Sequence, residues 1–285
     1  MRWLVTTTIT IALLILALAL FTHWLKRISL FFPDRHPRGF WNFADLPIEP
    51  SEHQFLTPDG VLLHGLLFEP VEASDSPLII WFHGNAGNVT NRAAIASRFA
   101  EMGSPIFVFD YRGFGKSEGR ISERGAAVDS IAAYDYITRR VGRQSGSVAL
   151  YGESIGAAFA AWVARERPAL CVVVESSFPS LSRVAWTVYP YTPFPLFVGG
   201  SLRVADWLNE AGLPVLVLHG TNDPIIPFRL GVELYEQLEV PKTLLPVEGA
   251  SHSDISAVLG DGYVRRVRDF VEAARRESVS KRRVE

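Results

Sequence analysis

The sequence predicts an α/β fold, a mostly parallel central sheet with helices on both faces, preceded by one N-terminal transmembrane helix. Three observations predict it. From Glu52 onward, apolar runs of strand length alternate with amphipathic stretches of helix length. The runs are rich in Val, Ile and Phe and too short for helices, as strands buried on both faces are. Ahead of them, the 23 residues Trp3 to Leu25 contain no Asp, Glu, Lys or Arg; at about 1.5 Å per residue such a helix spans a bilayer core of roughly 30 Å.

In chain order, residues 1–27 read as the anchor. Trp3 and Trp24 lie at its ends, where indoles sit at headgroup level, and Lys26 and Arg27 close it. Ala17-Leu18-Ala19 offers the small-x-small site of a cleaved signal, but the apolar run continues through Leu20 and Phe21. Arg2 on one side against Lys26, Arg27, Arg35 and Arg38 on the other leans toward a cytoplasmic main domain on a single-pass membrane protein. Residues 28–50 read as a juxtamembrane linker. The folded domain, 51–285, opens with a hairpin, Glu52 to Thr57 and Val61 to Phe68 around Pro58-Asp59-Gly60. Parallel strands follow at Leu78 to Phe82, Pro105 to Phe109, Ser147 to Tyr151, Ala169 to Val174, Pro214 to Leu218 and Lys242 to Pro246. Between them, Asn91 to Met102, Glu123 to Val141 and Ile155 to Arg165 carry apolar residues at helical spacing. Residues 176–210 hold Phe178, Trp186, Tyr189, Tyr191, Phe194, Phe197 and Trp207 without a long helical period, which suggests a cap over the strand ends. The C-terminal stretch from Val264 carries Arg265, Arg266, Arg268, Arg275, Arg276, Lys281, Arg282 and Arg283: a solvated helix face and frayed tail, or a surface drawn to anionic lipid.

Composition removes several function classes. Twenty-eight Lys and Arg against 30 Asp and Glu leave a net charge of −2, so no basic field exists to hold nucleic acid by counterion release. The single cysteine, Cys171, can form neither an internal disulfide nor a Cys-rich zinc site, and its apolar surroundings read as a buried, inert thiol.

Ligands of parallel sheets bind at the carboxyl ends of the strands. There, Gly152-Glu153-Ser154-Ile155-Gly156 stands between a strand and a helix. Its small flanking residues suit a sharp turn that lifts Ser154 Oγ clear of the sheet as a nucleophile. A serine hydroxyl needs a base and an acid to orient that base. His252 follows the last strand by a short polar loop and is the candidate base. His83 and His219 each precede glycine in a turn, while His53 and His64 fall in the hairpin. Asp223 follows the strand Pro214 to Leu218 and lies between serine and histidine in the chain, the order of one family of such triads; Glu175, one strand earlier, is the alternative acid and otherwise lines the pocket entrance. The tetrahedral intermediate needs oxyanion donors. Ile155 N–H at the helix start is one, and Asn85 N–H, in His83-Gly84-Asn85-Ala86-Gly87-Asn88, is the other, with Ala86 as the neighbouring possibility. Phe114 and Phe178 are further candidates for the substrate pocket.

Together these residues resemble the α/β-hydrolase superfamily, most closely its membrane-anchored ABHD-type branch, in the N-terminal anchor, the oxyanion loop HGNxGN and the segment Asp110-Tyr111-Arg112-Gly113-Phe114-Gly115-Lys116-Ser117. The resemblance covers roughly Ser51 to Ala274. It implies an α/β-hydrolase fold with a short cap, the Ser154, Asp223, His252 triad, and no metal or organic cofactor. It also implies hydrolysis of esters or thioesters, with lipid and fatty-acyl substrates among family activities. The partners expected are an acyl ester or thioester substrate, membrane lipid through the anchor and the basic tail, and no nucleic acid. The alternatives are a serine peptidase or amidase of the same fold, or a non-catalytic binding or scaffold protein.

Overall fold

Side chains alternate across the strands, and this alternation divides the core into two layers on either side of one sheet. The computed structural model describes residues 2–72, 74–140, 142, 147–188, 190–192, 195, 198 and 200–282. Helix α1 (Arg2–Ser29) and a short strand β1 (Phe32–Pro33) precede the hairpin of β2 (Ser51–Leu56) and β3 (Leu62–Phe68). After β4 (Leu78–Phe82) come β5 (Ala86–Gly87), a 3-10 turn (Val89–Asn91), α2 (Ala93–Glu101), β6 (Ile106–Asp110) and α3 (Glu123–Arg140). The second half runs β7 (Val148–Glu153), α4 (Gly156–Glu166), β8 (Cys171–Glu175), α5 (Leu181–Val188), α6 (Val204–Ala211), β9 (Val215–Gly220), α7 (Phe228–Gln237), β10 (Lys242–Val247), α8 (Ile255–Leu259) and α9 (Asp261–Arg282).

The eight-stranded sheet has the order β10-β9-β8-β7-β4-β6-β3-β2. Only β3 runs against its neighbours, pairing antiparallel with β2 and β6, while the remaining pairs are parallel. Leu78, Ile80 and Phe82 of β4 face the layer of α3, α4, α6 and α7. Ile79 and Trp81 face the layer of α2 and α9. Each expected strand and helix of the domain forms within a few residues of its expected bounds; in β4, β6, β7, β8 and β9 this follows because both faces are buried and the apolar runs leave no other register. Cys171 is fully buried, and burial pushes its thiol pKa well above the ordinary value.

Helix α1 is 28 residues long, and Val5, Ile9, Ile11, Leu13, Leu14, Leu16 and Leu20 on it are exposed. Among the described residues, no helix is long and apolar enough to cross a membrane, so the expected span from Trp3 to Leu25 finds no support there. The side chains of Trp24, Lys26 and Arg27 lie outside the described residues. The segment expected as a linker is bonded to the domain. Its β1 pairs in parallel with β5, Phe31 and Phe43 are buried, and Ile48 N–H donates to Ser97 Oγ at 2.7 Å.

The expected cap resolves into two parts. Helix α6 belongs to the body: Val204, Ala205 and Leu208 join the α3/α4 layer and the Trp207 ring meets Trp162 edge-on at 5.3 Å. Residues 176–188 lie over the strand ends, with Phe178, Leu181 and Ala185 buried beneath and Trp186 exposed. Tyr191 is fully exposed; Tyr189, Phe194 and Phe197, like Arg283, lie outside the described residues. In the basic stretch, Arg268 Nη1 donates to Met102 O at 2.6 Å and Arg275 Nη1 to Asp75 O at 3.1 Å. Arg265, Arg266 and Arg276 are exposed.

Candidate active site

The turn between β7 and α4 is as sharp as the Gly-x-Ser-x-Gly pattern implies. Ser154 sits at φ 54°, the left-handed region that a non-glycine residue occupies only at a cost. A Cβ on Gly152 would lie 2.3 Å from Ala157 Cα, and one on Gly156 would lie 2.0 Å from Phe82 O. Only glycine allows β7, α4 and β4 to approach this closely. Ser154 N–H donates to Glu175 O at 2.8 Å, and Ser177 Oγ donates to Ser154 O at 2.9 Å. The strained residue is thus held from both sides.

Three distant side chains converge there. Ser154 Oγ lies 3.2 Å from His252 Nε2, and His252 Nδ1 lies 2.7 Å from Asp223 Oδ2. The other carboxylate oxygen of Asp223 accepts the N–H groups of Ile225 and Ile226, both at 2.8 Å. Burial works against the Asp223 charge, but its contacts with His219 and His252 and these backbone donors outweigh it and hold the carboxyl well below the usual range. An ionised Asp223 keeps the proton of neutral His252 on Nδ1, leaving Nε2 free to accept the serine proton. The histidine loop is fixed in turn: Ser176 Oγ donates to His252 O at 3.1 Å, and Ser251 N–H donates to Asp254 Oδ1 at 2.6 Å.

The oxyanion candidates lie where the sequence puts them, Ile155 at the start of α4 and Asn85 and Ala86 in the loop after β4. Ile155 is among the residues whose amides a helix start leaves unspent. The Asn85 side chain is otherwise engaged, its Nδ2 donating to Leu30 O at 3.1 Å. Ala86 is exposed.

Glu175 does not line a pocket entrance. Strand alternation turns its side chain to the same face as Cys171 and Val173, where the hydroxyls of Tyr151 and Tyr263 donate to Oε2. Burial, reinforced by the nearby Glu153 charge, pushes its pKa up to about 7. It makes no hydrogen bond to His252 among the described residues, so Asp223 alone occupies the acid position. Phe114 is fully buried, its ring 5.1 Å from that of His83, and supports the oxyanion loop from beneath. Phe178, 3% exposed, belongs to the same core layer. Neither borders the cavity of about 1010 Å³ between α3 and α4 under Leu30, Phe31 and Trp207, and no member of the triad does either.

Sequence reasoning did not find Arg92. From the turn before α2, its Nε and Nη2 hold both oxygens of Glu153 at 3.0 and 2.6 Å, and Nη1 donates to Ala86 O at 3.0 Å. No sequence signal pairs an arginine with a carboxylate 61 residues away. Ser176 and Ser177 carried a usable signal, polar residues directly after a buried strand.

A nucleophile elbow, a Ser-His-Asp constellation and this strand order define the class, an α/β-hydrolase. A family model described as serine aminopeptidase, S33, matches residues 74–184. The chain is 30% identical over 262 residues to protein bem46 of Schizosaccharomyces pombe, covering 85% of each. It is 32% identical over 215 residues to an uncharacterized protein of Mycobacterium tuberculosis, covering 75% of this chain and 76% of that one. In fold it is similar to the Pyrococcus furiosus esterase Pf2001, with a TM-score of 0.68 at 22% identity over 86% of this chain and 98% of that one. The chain belongs to the α/β-hydrolase superfamily, in the family that includes bem46.

Proposed function

We propose that this protein is a membrane-anchored serine hydrolase of the ABHD type that cleaves carboxylic ester or thioester bonds of acyl substrates. The observation that carries the reading is Ser154 Oγ at 3.2 Å from His252 Nε2, with the serine at φ 54°. His252 removes the Ser154 proton as Oγ attacks the substrate carbonyl, and Asp223 stabilises the imidazolium that results. The carbonyl oxygen becomes negative and takes hydrogen bonds from Ile155 N–H and from Asn85 or Ala86 N–H. His252 then returns its proton to the leaving alcohol or thiol. Water, deprotonated by the same imidazole, releases the acyl group and restores Ser154. Every step runs on side chains and backbone amides of this chain.

The family model's description favours a second reading, an aminopeptidase. Such an enzyme needs a free carboxylate to receive the substrate's amino group. Of the carboxylates near the triad, Glu153 is engaged with Arg92, Glu175 with two tyrosines and Asp254 Oδ1 with Ser251 N–H, which favours an uncharged ester or thioester. The esterase title of the Pyrococcus furiosus relative in fold points the same way. Anchoring rests on the uncharged run from Trp3 to Leu25 and the exposed apolar side chains of α1. The exposed Arg265, Arg266 and Arg276 offer a surface for anionic headgroups, and the excess of Lys and Arg after Leu25 favours a cytoplasmic domain.

The test is labelling of the full chain in detergent with a fluorophosphonate probe, followed by turnover of p-nitrophenyl acyl esters, thioesters and the matching amides. Wild type is expected to label and to turn over esters or thioesters, and Ser154→Ala to do neither. Undiminished labelling of Ser154→Ala removes the assignment. A folded wild type that reacts with no serine-directed probe favours the scaffold reading.

A further inference from the structure

We infer that the segment Leu30 to Asp34, which directly follows α1, is a positioning element of the oxyanion loop. The inference rests on the acyl-transfer reading above and adds to it a part of the chain outside the hydrolase domain proper.

The argument starts from the peptide plane. In a trans peptide, C=O and N–H point in opposite directions, so fixing one residue's carbonyl aims the amide of the next. Four consecutive carbonyls of the loop are held. His83 Nδ1–H donates to Gly84 O at 2.7 Å. Phe32 N–H donates to Asn85 O at 2.7 Å, and Asp34 N–H donates to Gly87 O at 3.0 Å. Arg92 Nη1 donates to Ala86 O at 3.0 Å. The amides aimed by the first two of these bonds are those of Asn85 and Ala86, and neither has an acceptor among the described residues. These are the two amides available to a substrate oxygen.

Two of the four holds come from the segment after α1, and the loop's own side chains reach back to it. Asn85 Nδ2 donates to Leu30 O at 3.1 Å, and Asn88 Nδ2 donates to Asp34 O at 3.0 Å. The segment is itself fixed by the buried Phe31, whose ring meets Phe114 at 6.4 Å and Phe159 at 6.5 Å. Between the buried His83 and Asn88 the loop has little stiffness of its own. Gly84 and Gly87 contribute no side chain, Gly87 sits at φ 77°, and Ala86 is exposed. Donors aimed before the reaction stabilise the oxyanion without reorganisation, which is the condition under which they accelerate it most. The residues directly after α1 therefore set the efficiency of the chemistry.

Phe32→Pro deletes the N–H that holds Asn85 O and retains a backbone compatible with an extended edge segment. In the full chain in detergent micelles, kcat per titrated active site on an activated acyl ester is expected to fall by about tenfold to a hundredfold, within the range for losing one oxyanion donor, while KM stays within about twofold. The decisive readout is the ratio of kcat on that ester to kcat on its thionoester analogue, whose sulfur is a poor hydrogen-bond acceptor. The ratio should shrink with the loss of kcat, whereas a merely structural defect lowers the number of titratable sites and leaves the ratio unchanged. Asn85→Ala, which removes the bond to Leu30 O and keeps the backbone amide, is expected to shift the ratio in the same direction by less, and it carries the test if Phe32→Pro does not fold. An unchanged ratio in the folded variants beside an active wild type overturns the positioning role alone. A wild type with no turnover and no fluorophosphonate labelling overturns the hydrolase reading, and with it this inference.

Discussion

Glu175→Gln should make the protein more stable at alkaline pH. In the wild type, three oxygens, Tyr151 Oη, Tyr263 Oη and Glu175 Oε2, are in mutual hydrogen-bond contact. Two tyrosines supply two protons for three contacts, and a third is available only when Glu175 is itself protonated. Burial first and the Glu153 charge second raise this carboxyl against the lowering effect of the two tyrosine hydrogen bonds, so that it is pushed up to about 7 when folded against 4.5 as its ordinary value. The folded state therefore holds this proton more tightly than the unfolded one, so stability falls as pH rises through this interval. The contribution is fully present below the unfolded pKa of 4.5 and is lost by the time pH passes 7. A difference of that size corresponds to about 3 kcal/mol at 1.36 kcal/mol per unit. Glutamine carries a donor that cannot ionise, so it keeps the third contact at every pH. Relative to their difference at pH 4, the variant should gain about 3 kcal/mol over wild type by pH 8, or roughly 6–12 °C in Tm for a domain of this size. Urea or thermal unfolding in matched micelles from pH 4 to 9 measures it, and the other titrating groups largely cancel in the difference. Parallel stability curves for the two proteins would refute the argument. The variant should also keep most of any turnover of the proposed ester substrate, because Glu175 makes no hydrogen bond to His252 among the described residues.

Asp223→Asn should lower kcat by about 10³ to 10⁴-fold with the fold intact, since an amide cannot hold the His252 tautomer and cannot balance its charge; steady-state kinetics beside a circular-dichroism melt separates this from unfolding. Arg92→Met should cost about 1–3 kcal/mol by stranding the partly buried Glu153 charge. The double variant Arg92→Met with Glu153→Leu should recover most of that in urea titration and yet remain slow, because Ala86 O has lost its donor.

Much of this architecture was legible in the chain because local pattern and final environment agree. Strands β4 and β7 are apolar at every early position, since both faces are covered, and no competing register exists for them. The Gly152-Glu153-Ser154-Ile155-Gly156 turn announces itself because no other residue types fit the approach of Ala157 and Phe82 backbone atoms. His252 and Asp223 were found by their places after two late strands, by setting the other histidines aside and by the chain order serine, acid, histidine. Glu175 obeyed the same rule and misled, because the rule locates the end of a strand and says nothing about which face the side chain takes. Its neighbours Cys171 and Val173, both on the α2/α9 face, decide that.

The sequence by itself determined the elements, their alternation and the serine turn, since those follow from short-range periodicity and from the steric demands of one turn; chain order pointed to the acid and the histidine that meet it. Only the tertiary structure decided which groups surround the chemistry. Arg92 meets Glu153 across 61 residues, Tyr263 closes on Glu175 across 88, and Phe32 reaches Asn85 from outside the domain. Such pairings depend on where helices and edge segments dock on the sheet, and docking is set by the summed packing of many residues, so no local motif encodes it.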